Sequence, residues 1–440
     1  MAAPSRRTLV AALAVAVMLA PALAGCEDGP EPPVPARSTL TFGVYGTPVE
    51  VAAYQEMVDA FNADADGARV ELVSWNAASG LMSAVTGETA RPDVFLAPRS
   101  RLETLMAEGI TTPLFELLEA RNVNTGDQFN HDALLAFSSD DDLQCVPYGV
   151  SPMVIYYNTD LIDFERMRAR DLPVPDDALE GWSFEEFAAA ARFGAKPRRG
   201  ISGLNVEPTL EEIAPYVISG GGAVFDDPDE PTSTAFSSDG SREALARTLA
   251  LLRDPAVTPT TAEIERSSSL ELFKQGKLAM IQGYRSLTPS LRAVDGLDFD
   301  VMPMPSLGDQ ATVGSMTGLC VSAGDRAEAA ADFLVYAIAD ESVARVARAG
   351  TLVPAILSVA RSSAFLQPEE QPASAGVFNV SVDALRLLPE LHDPELEAAV
   401  TPGLEEMLRT PVIVDLNELT GRIDEASRAV LDPDYEPSPS

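Results

Sequence analysis

From Thr39 onward the sequence switches repeatedly between a two-residue and a 3.6-residue hydrophobic period, and this alternation restricts the chain to a strand–helix–strand architecture. The run TLTFGVYG is β-branched and aromatic, closes on glycine, and reads as a strand; behind it Val51, Tyr54, Met57, Val58 and Phe61 fall on one helical face. ARVELVSW is a second strand, followed by a helix around Leu81 to Val85. The apolar stretch from Pro92 to Ala97 is a third strand, leading to a helix near Ser100 to Glu108. Such units predict an α/β fold with parallel sheets covered by helices. Ligands of open parallel sheets sit beyond the carboxyl ends of the strands. That rule singles out Tyr45, Gly46 and Thr47, then Trp75 with Asn76, then Pro98, Arg99 and Ser100.

The segment CVPYGVSPMVIYYN, from Cys145 to Asn158, is too rich in β-branched and aromatic residues for a loop, and Pro147 and Pro152 forbid a continuous central strand. It reads as a strand crossing between two lobes, and GSMTGLCVSAG, from Gly314 to Gly324, as a second crossing. Ser183 with Glu186 three residues on is the signature of a capped helix over WSFEEFAAAARF. Asp239 to Leu252 reads as a helix with Leu245, Leu249 and Leu252 inward, and Gly276 as a helix end before a short buried strand. The glycines at 220 to 222 serve either a turn or a close approach to ligand. Trp182, at a helix start, is expected to pack there. Tyr156 and Tyr157 adjoin on a strand and must face opposite ways, which argues against a paired-tyrosine iron site.

Composition removes several functions. Against 67 Asp and Glu stand 31 Lys and Arg, a formal net charge of -36, so a basic surface for nucleic acid is excluded. Three Cys and two His make a zinc cluster or multi-His metal centre arithmetically difficult; His131 and His392 are far apart and read as surface residues. The acidic run Asp140 to Asp142 lacks the glycine and terminal glutamate of a calcium loop. No nucleophile elbow, Ser-x-x-Lys pair, His-Glu-x-x-His or phosphate-cradling glycine loop occurs, and no catalytic residue, cofactor or metal is expected. With 67 carboxylates in the chain, a glycosidase pair remains an alternative reading.

Arg6 and Arg7 precede an apolar run, Leu9 to Ala20, that is shorter than the ~20 residues a bilayer span needs. The run ends in Leu23-Ala24-Gly25-Cys26, which resembles a bacterial lipobox. Residues 1–25 are thus expected to be an export signal and Cys26 the lipidated residue holding the mature chain to the outer face of the membrane. Residues 26–38 are proline-dense, a semi-rigid tether of roughly 30 Å.

Six segments in order, RPDVFLAPRSRLETLMAEGITTPL, VPYGVSPMVIYYNTDLI, GWSFEEFAAAAR, SGGGAVFDD, LFKQGKLAMIQGYR and FLVYAIADESVARVARAGTLVP, resemble the extracellular solute-binding proteins of ATP-driven importers, in particular the carbohydrate-binding branch that includes maltose-binding protein. The resemblance runs from about Thr39 to Leu431. It implies a two-lobe, type II periplasmic-binding-protein-like fold: lobe 1 from 39–148 plus 318–350, lobe 2 from 149–317 plus 351–435, joined by crossing strands. It further implies a monomer that closes on a small solute, most often a sugar, and delivers it to the permease subunits of an ABC importer. Ligand contacts are expected at Tyr45, Gly46, Thr47, Trp75, Arg99, Ser100, Arg101, Tyr148, Ser151, Gly221, Tyr284, Arg285, Met316 and Thr317, the aromatics as stacking platforms and the arginines as hydroxyl or anion clamps. Arg99 and Arg101 also fit ordinary surface charges. Because the crossing strands run side by side in such proteins, Cys145 and Cys320 are expected either to form a disulfide or to remain two buried thiols. Two alternatives stay open: an exported lipid-anchored glycan hydrolase, and a receptor for another polar metabolite or for a sensor.

Overall fold

The computed structural model describes residues 39–64, 67–87, 91–126, 128–139, 142–176, 180–388, 393–410 and 415–435. The export signal, Cys26 and the tether, together with Asp140, Asp141 and His392, lie outside the described residues.

The alternating periods fold as their sequence predicts. Strands β1 (Thr39–Tyr45), β2 (Arg69–Trp75) and β3 (Val94–Pro98) are separated by helices Pro48–Asp64 and Ala78–Thr86. A short ribbon, β4 (Ser138–Ser139) and β5 (Asp142–Leu143), precedes β6 (Cys145–Pro152) and β7 (Val154–Asn158). Then come β8 (Ser202–Leu204), β9 (Leu278–Gly283), β10 (Phe299–Met302), β11 (Thr312–Val321), β12 (Val353–Pro354) and β13 (Leu385–Arg386). The larger, seven-stranded sheet has the order β12-β6-β11-β3-β1-β2 with β13 beside β11, and a four-stranded sheet the order β10-β7-β9-β8.

Strand direction departs from expectation. β1 is parallel to β2 and β3, but β11 runs antiparallel to both β3 and β6, and in the small sheet only β8 and β9 are parallel. Hydrophobic periodicity marks a strand without its direction, and strands recruited from distant sequence pair in whichever sense their connections allow. β6 and β7 are one extended run broken at Met153, so the chain passes from the large sheet to the small one at that residue. It returns between Met302 and Thr312. The expected boundaries at 148/149 and 317/318 fall inside β6 and β11.

The two faces of β7 explain how the cores divide. Tyr156 lies in the cluster built on the large sheet, which continues through Phe365 and Phe378 onto one face of the small sheet. Ile155 and Tyr157 point into the second cluster with Phe187, Tyr216 and Trp182. The Trp182 indole N–H donates to Pro303 O at 2.8 Å and the ring packs edge-on against Phe187, as expected of a helix-start tryptophan. Helix Phe184–Gly194 carries the predicted box: the Glu186 N–H donates to Ser183 Oγ and Glu186 Oε2 accepts from the Ser183 N–H. Such a cap contributes about 1 kcal/mol. Helix Asp239–Leu252 buries Leu245, Leu249 and Leu252. It approaches Gly222 so closely that a Cβ there would lie 2.6 Å from Ser241 Cα, while Gly221 is exposed with φ +85°. Gly222 therefore serves helix packing, while Gly221 makes a turn with its surface open.

Cys145 and Cys320 are bonded, directly opposite each other on β6 and β11. The bridge is internal to the large sheet, at the amino end of β6, and so lies away from the Met153 joint instead of clamping it.

Candidate functional site

The register locates the site. Because β1, β2, β3 and β6 share one direction, their carboxyl ends, at Tyr45, Trp75, Pro98 and Pro152, all point to the side where the chain leaves the large sheet. In the small sheet β7 starts at that joint; antiparallel β9 therefore ends there, Gly283 opposite Val154, as does β8, parallel to β9. Both sheets thus present strand carboxyl ends to the joint, the side on which open α/β sheets take ligands. The loops gathered there are 45–47, 75–76, 98–101, 151 and 315–317 from one sheet and 205–211 with 284 from the other.

On the large-sheet side Tyr45 and Trp75 are adjacent partners in register, and both are half-buried and packed against the large-sheet core. The indole rests on Gly80, where a Cβ would come within 3.0 Å of Cδ1. Burial, and then the Glu50 carboxylate, push the Tyr45 phenol well above its usual range, so it remains a neutral donor at any physiological pH. Gly46, at φ +148°, lets the chain turn beneath Glu50, whose Oε2 accepts from the Thr47 N–H at 2.6 Å. A side chain at 46 would collide with that carboxylate, since its Cβ would sit 2.6 Å from Oε2. Arg99 is half-buried and 3.5 Å from Glu103; Ser100 and Arg101 are exposed. Ser151 and Ser315 face each other across β6 and β11, and Thr317 donates to Gly149 O at 3.5 Å.

On the small-sheet side Tyr284 follows β9 and its hydroxyl donates to Glu211, in the first turn of helix Leu210–Ser219. Nothing in the sequence marked Glu211, one acid among 67. The pair offers a half-buried ring beside a planar carboxylate, a combination suited to the C–H face and paired hydroxyls of a sugar. Behind it burial drives the Glu212 carboxyl up to about 8, reinforced by Glu207 and Glu211 and opposed by the Glu207 N–H that Oε2 accepts. Glu212 is therefore largely protonated at neutral pH.

Three expected contacts are placed elsewhere. Tyr148 is fully buried, its ring beside Tyr54 and its hydroxyl 3.9 Å from Met57 Sδ. Met316 points into the large-sheet core, because alternation along β11 sends it opposite to Ser315 and Thr317. Arg285 faces away from Tyr284 into the core, stacked between Phe365 and Phe378.

Among the described residues no helix is long and apolar enough to cross a membrane, and no cluster of three His, Cys, Asp or Glu could hold a metal ion. The structure resembles an ABC substrate-binding protein of Listeria monocytogenes solved with cycloalternan (TM-score 0.71, 19% identity, 90% of this chain and 99% of that one). It resembles equally the GacH receptor of Streptomyces glaucescens, studied unliganded and with acarbose (0.69, 19%, 91% and 100%). A third likeness is to the maltose-binding periplasmic protein of Listeria monocytogenes in complex with maltose (0.67, 18%, 91% and 100%). These likenesses establish the two-lobe, type II fold. The family described as bacterial extracellular solute-binding protein matches residues 56–373, well over half of the sequence, and this chain belongs to that family.

Proposed function

We propose that the chain is a lipid-anchored receptor at the outer face of the cytoplasmic membrane that captures a mono- or oligosaccharide between its two lobes and delivers it to an ABC importer. The observation carrying this reading is the convergence of both sheets' carboxyl ends on one joint, with Tyr45 and Trp75 on one side and Tyr284 with Glu211 on the other. Carbohydrate is supported by the similar proteins solved with cycloalternan, acarbose and maltose. Arg99, Ser100, Arg101, Thr47, Ser151 and Thr317 complete the rim available to hydroxyl groups. Closure carries one sheet against the other by backbone rotation at Met153 and within 303–311, a hinge of the kind that needs only a few residues. Export and anchoring through Cys26 follow from the lipobox, and a monomer suffices for the closure.

The test is a thermal-shift screen of the mature body against sugars, sugar phosphates, polyamines and amino acids, with the mass of each ligand checked after incubation. A ligand at a hundred times its Kd adds about 2.7 kcal/mol to the folded state. A saturable shift with one sugar class and unchanged mass supports the reading. A shift only with an amine or anion overturns the sugar claim, and turnover of a glycan overturns the receptor itself.

A further inference from the structure

At the amino ends of β8 and β9 the small sheet carries a cavity of about 250 Å³ with a cationic wall. The Ser202 N–H donates there to Lys277 O at 2.9 Å, and the six residues of β9, about 20 Å of extended chain, separate this place from Gly283 at the joint. Three segments converge on it. Residues 196–201 close on themselves, the Lys196 N–H donating to Ile201 O at 2.8 Å, and Gly200, at φ +65°, takes the left-handed turn that leaves Arg199 beside the cavity. Helix Thr261–Ile264 ends just before Arg266 and Ser267. Gly276, also at φ +65°, follows helix Ser269–Lys274 and turns the chain into Lys277.

These segments hold all three lysines of the chain, Lys196, Lys274 and Lys277, in a sequence where 67 acids stand against 31 bases. Arg199, Arg266 and Lys277 line the cavity and are exposed. Among the described residues Arg199 and Lys277 have no ion-pair partner, and Arg266 spends only its Nε, on Ala262 O at 2.7 Å. Ser202 and Ser267, half-buried in the same wall, offer hydroxyls that no group of the described chain takes up. Glu263, the acid in that wall, is already committed: its Oε2 accepts from the Thr260 N–H at 2.8 Å and from Thr260 Oγ1 at 2.7 Å. Those bonds first, and then the charges of Arg266 and Lys277, hold its carboxyl below the usual range against the opposing effect of burial. It stays ionised, and one negative charge faces three positive ones.

We propose that this cavity binds a phosphate group, whose oxygens accept from the Arg199 and Arg266 guanidinium groups, the Lys277 ammonium and the Ser202 and Ser267 hydroxyls. Guanidinium forks match the two-oxygen edge of a phosphate, and an ammonium adds a point charge. The excess of two positive charges suits a phosphate dianion better than a single carboxylate. The volume lies below the roughly 300 Å³ at which pockets for drug-sized ligands begin, so a ligand the size of a headgroup fits and a sugar chain does not. Phosphate reaches such a cavity from two sources, an anionic phospholipid headgroup or a free phosphate ester, and its binding does not depend on what the cleft holds.

The test uses the mature protein with Cys26→Ala, so that no lipid of its own attaches it to a vesicle. Isothermal titration calorimetry with inorganic phosphate and with glycerol 1-phosphate, at constant ionic strength, is set beside co-sedimentation with vesicles of phosphatidylglycerol and of phosphatidylcholine. The expected result is saturable binding that the double substitution Arg199→Gln and Lys277→Gln weakens by at least about tenfold. Both side chains are exposed, so the Tm of the double variant should stay within about 2 °C of wild type. Sedimentation with phosphatidylglycerol alone, lost in the double variant, identifies the headgroup as the source; calorimetric binding without sedimentation identifies a free phosphate ester. Absence of both, or survival of either in the double variant, overturns the proposal. So does a polyglutamate peptide bound as tightly as phosphate, which would make the partner an acidic chain.

Discussion

Removing the Cys145–Cys320 bridge by the double substitution Cys145→Ala and Cys320→Ala isolates the effect of a long covalent loop in this fold. The two cysteines are 175 residues apart. In the chain-entropy account, a loop of that length restricts the unfolded ensemble by about 5 kcal/mol at 25 °C, slightly more than the ~4.7 kcal/mol of a 100-residue loop. Both sulfurs are fully buried, so two small cavities add to the loss. Equilibrium urea unfolding followed by circular dichroism should show a lower midpoint, and a steeper dependence on urea as the unfolded chain expands. Binding is a separate matter. Eight residues of extended chain at ~3.3 Å each place the bridge about 26 Å from Met153, so the double variant should bind its solute within about twofold of wild type. A stability loss below about 1 kcal/mol would refute the loop argument; a tenfold change in Kd would refute the remoteness of the bridge from the joint. Intact-mass analysis with alkylation before and after reduction should first find these two thiols protected.

Trp75→Ala should weaken sugar binding by at least about tenfold in isothermal titration calorimetry, with little change in Tm in the absence of ligand because the ring is only half-buried. Tyr284→Phe and Glu211→Gln should each raise Kd, and the double variant should cost less than the sum, since the two side chains act as one hydrogen-bonded unit. The Glu212 carboxyl binds its proton more tightly in the folded protein, its value raised to about 8 from an ordinary 4.5. Wild-type stability should therefore decline as pH rises from about 5 to about 8. Glu212→Gln should flatten that slope, and an identical pH profile in the two proteins would show that Glu212 is not the group responsible.

The strands and helices were legible because each carries its own period: TLTFGVY, the Leu245–Leu249–Leu252 stripe and the Ser183/Glu186 box are local signals, and each element forms where the signal stands. Strand direction was not legible, since β11 and β3 meet through chain more than two hundred residues apart. Site residues divide along the same line. Tyr45 and Trp75 end parallel strands and could be placed by the carboxyl-end rule. The rule of opposite faces, correctly applied to Tyr156 and Tyr157, also separates Met316 from Thr317, though only a structure shows which of each pair turns inward, while Tyr284 and Arg285 lie past the end of β9, where a short helical turn and not strand alternation sets their directions. Tyr148 belongs to the same class: an aromatic residue in an apolar strand has no sequence mark for core or cleft. Glu211 could not be distinguished among the acids until its contact with the Tyr284 hydroxyl was visible.

The position of the disulfide also has a consequence for how the molecule withstands cutting. Every strand of the small sheet, from β7 to β10, lies in the segment between Cys145 and Cys320, so that half of the fold is a covalent ring closed at its base. A protease that nicks an exposed turn inside the ring, such as the one at Asp226 to Glu230, opens the circle without releasing a fragment. For a protein displayed outside the cell, a single scission there leaves both pieces tethered and still able to dock, and only reduction sets them apart.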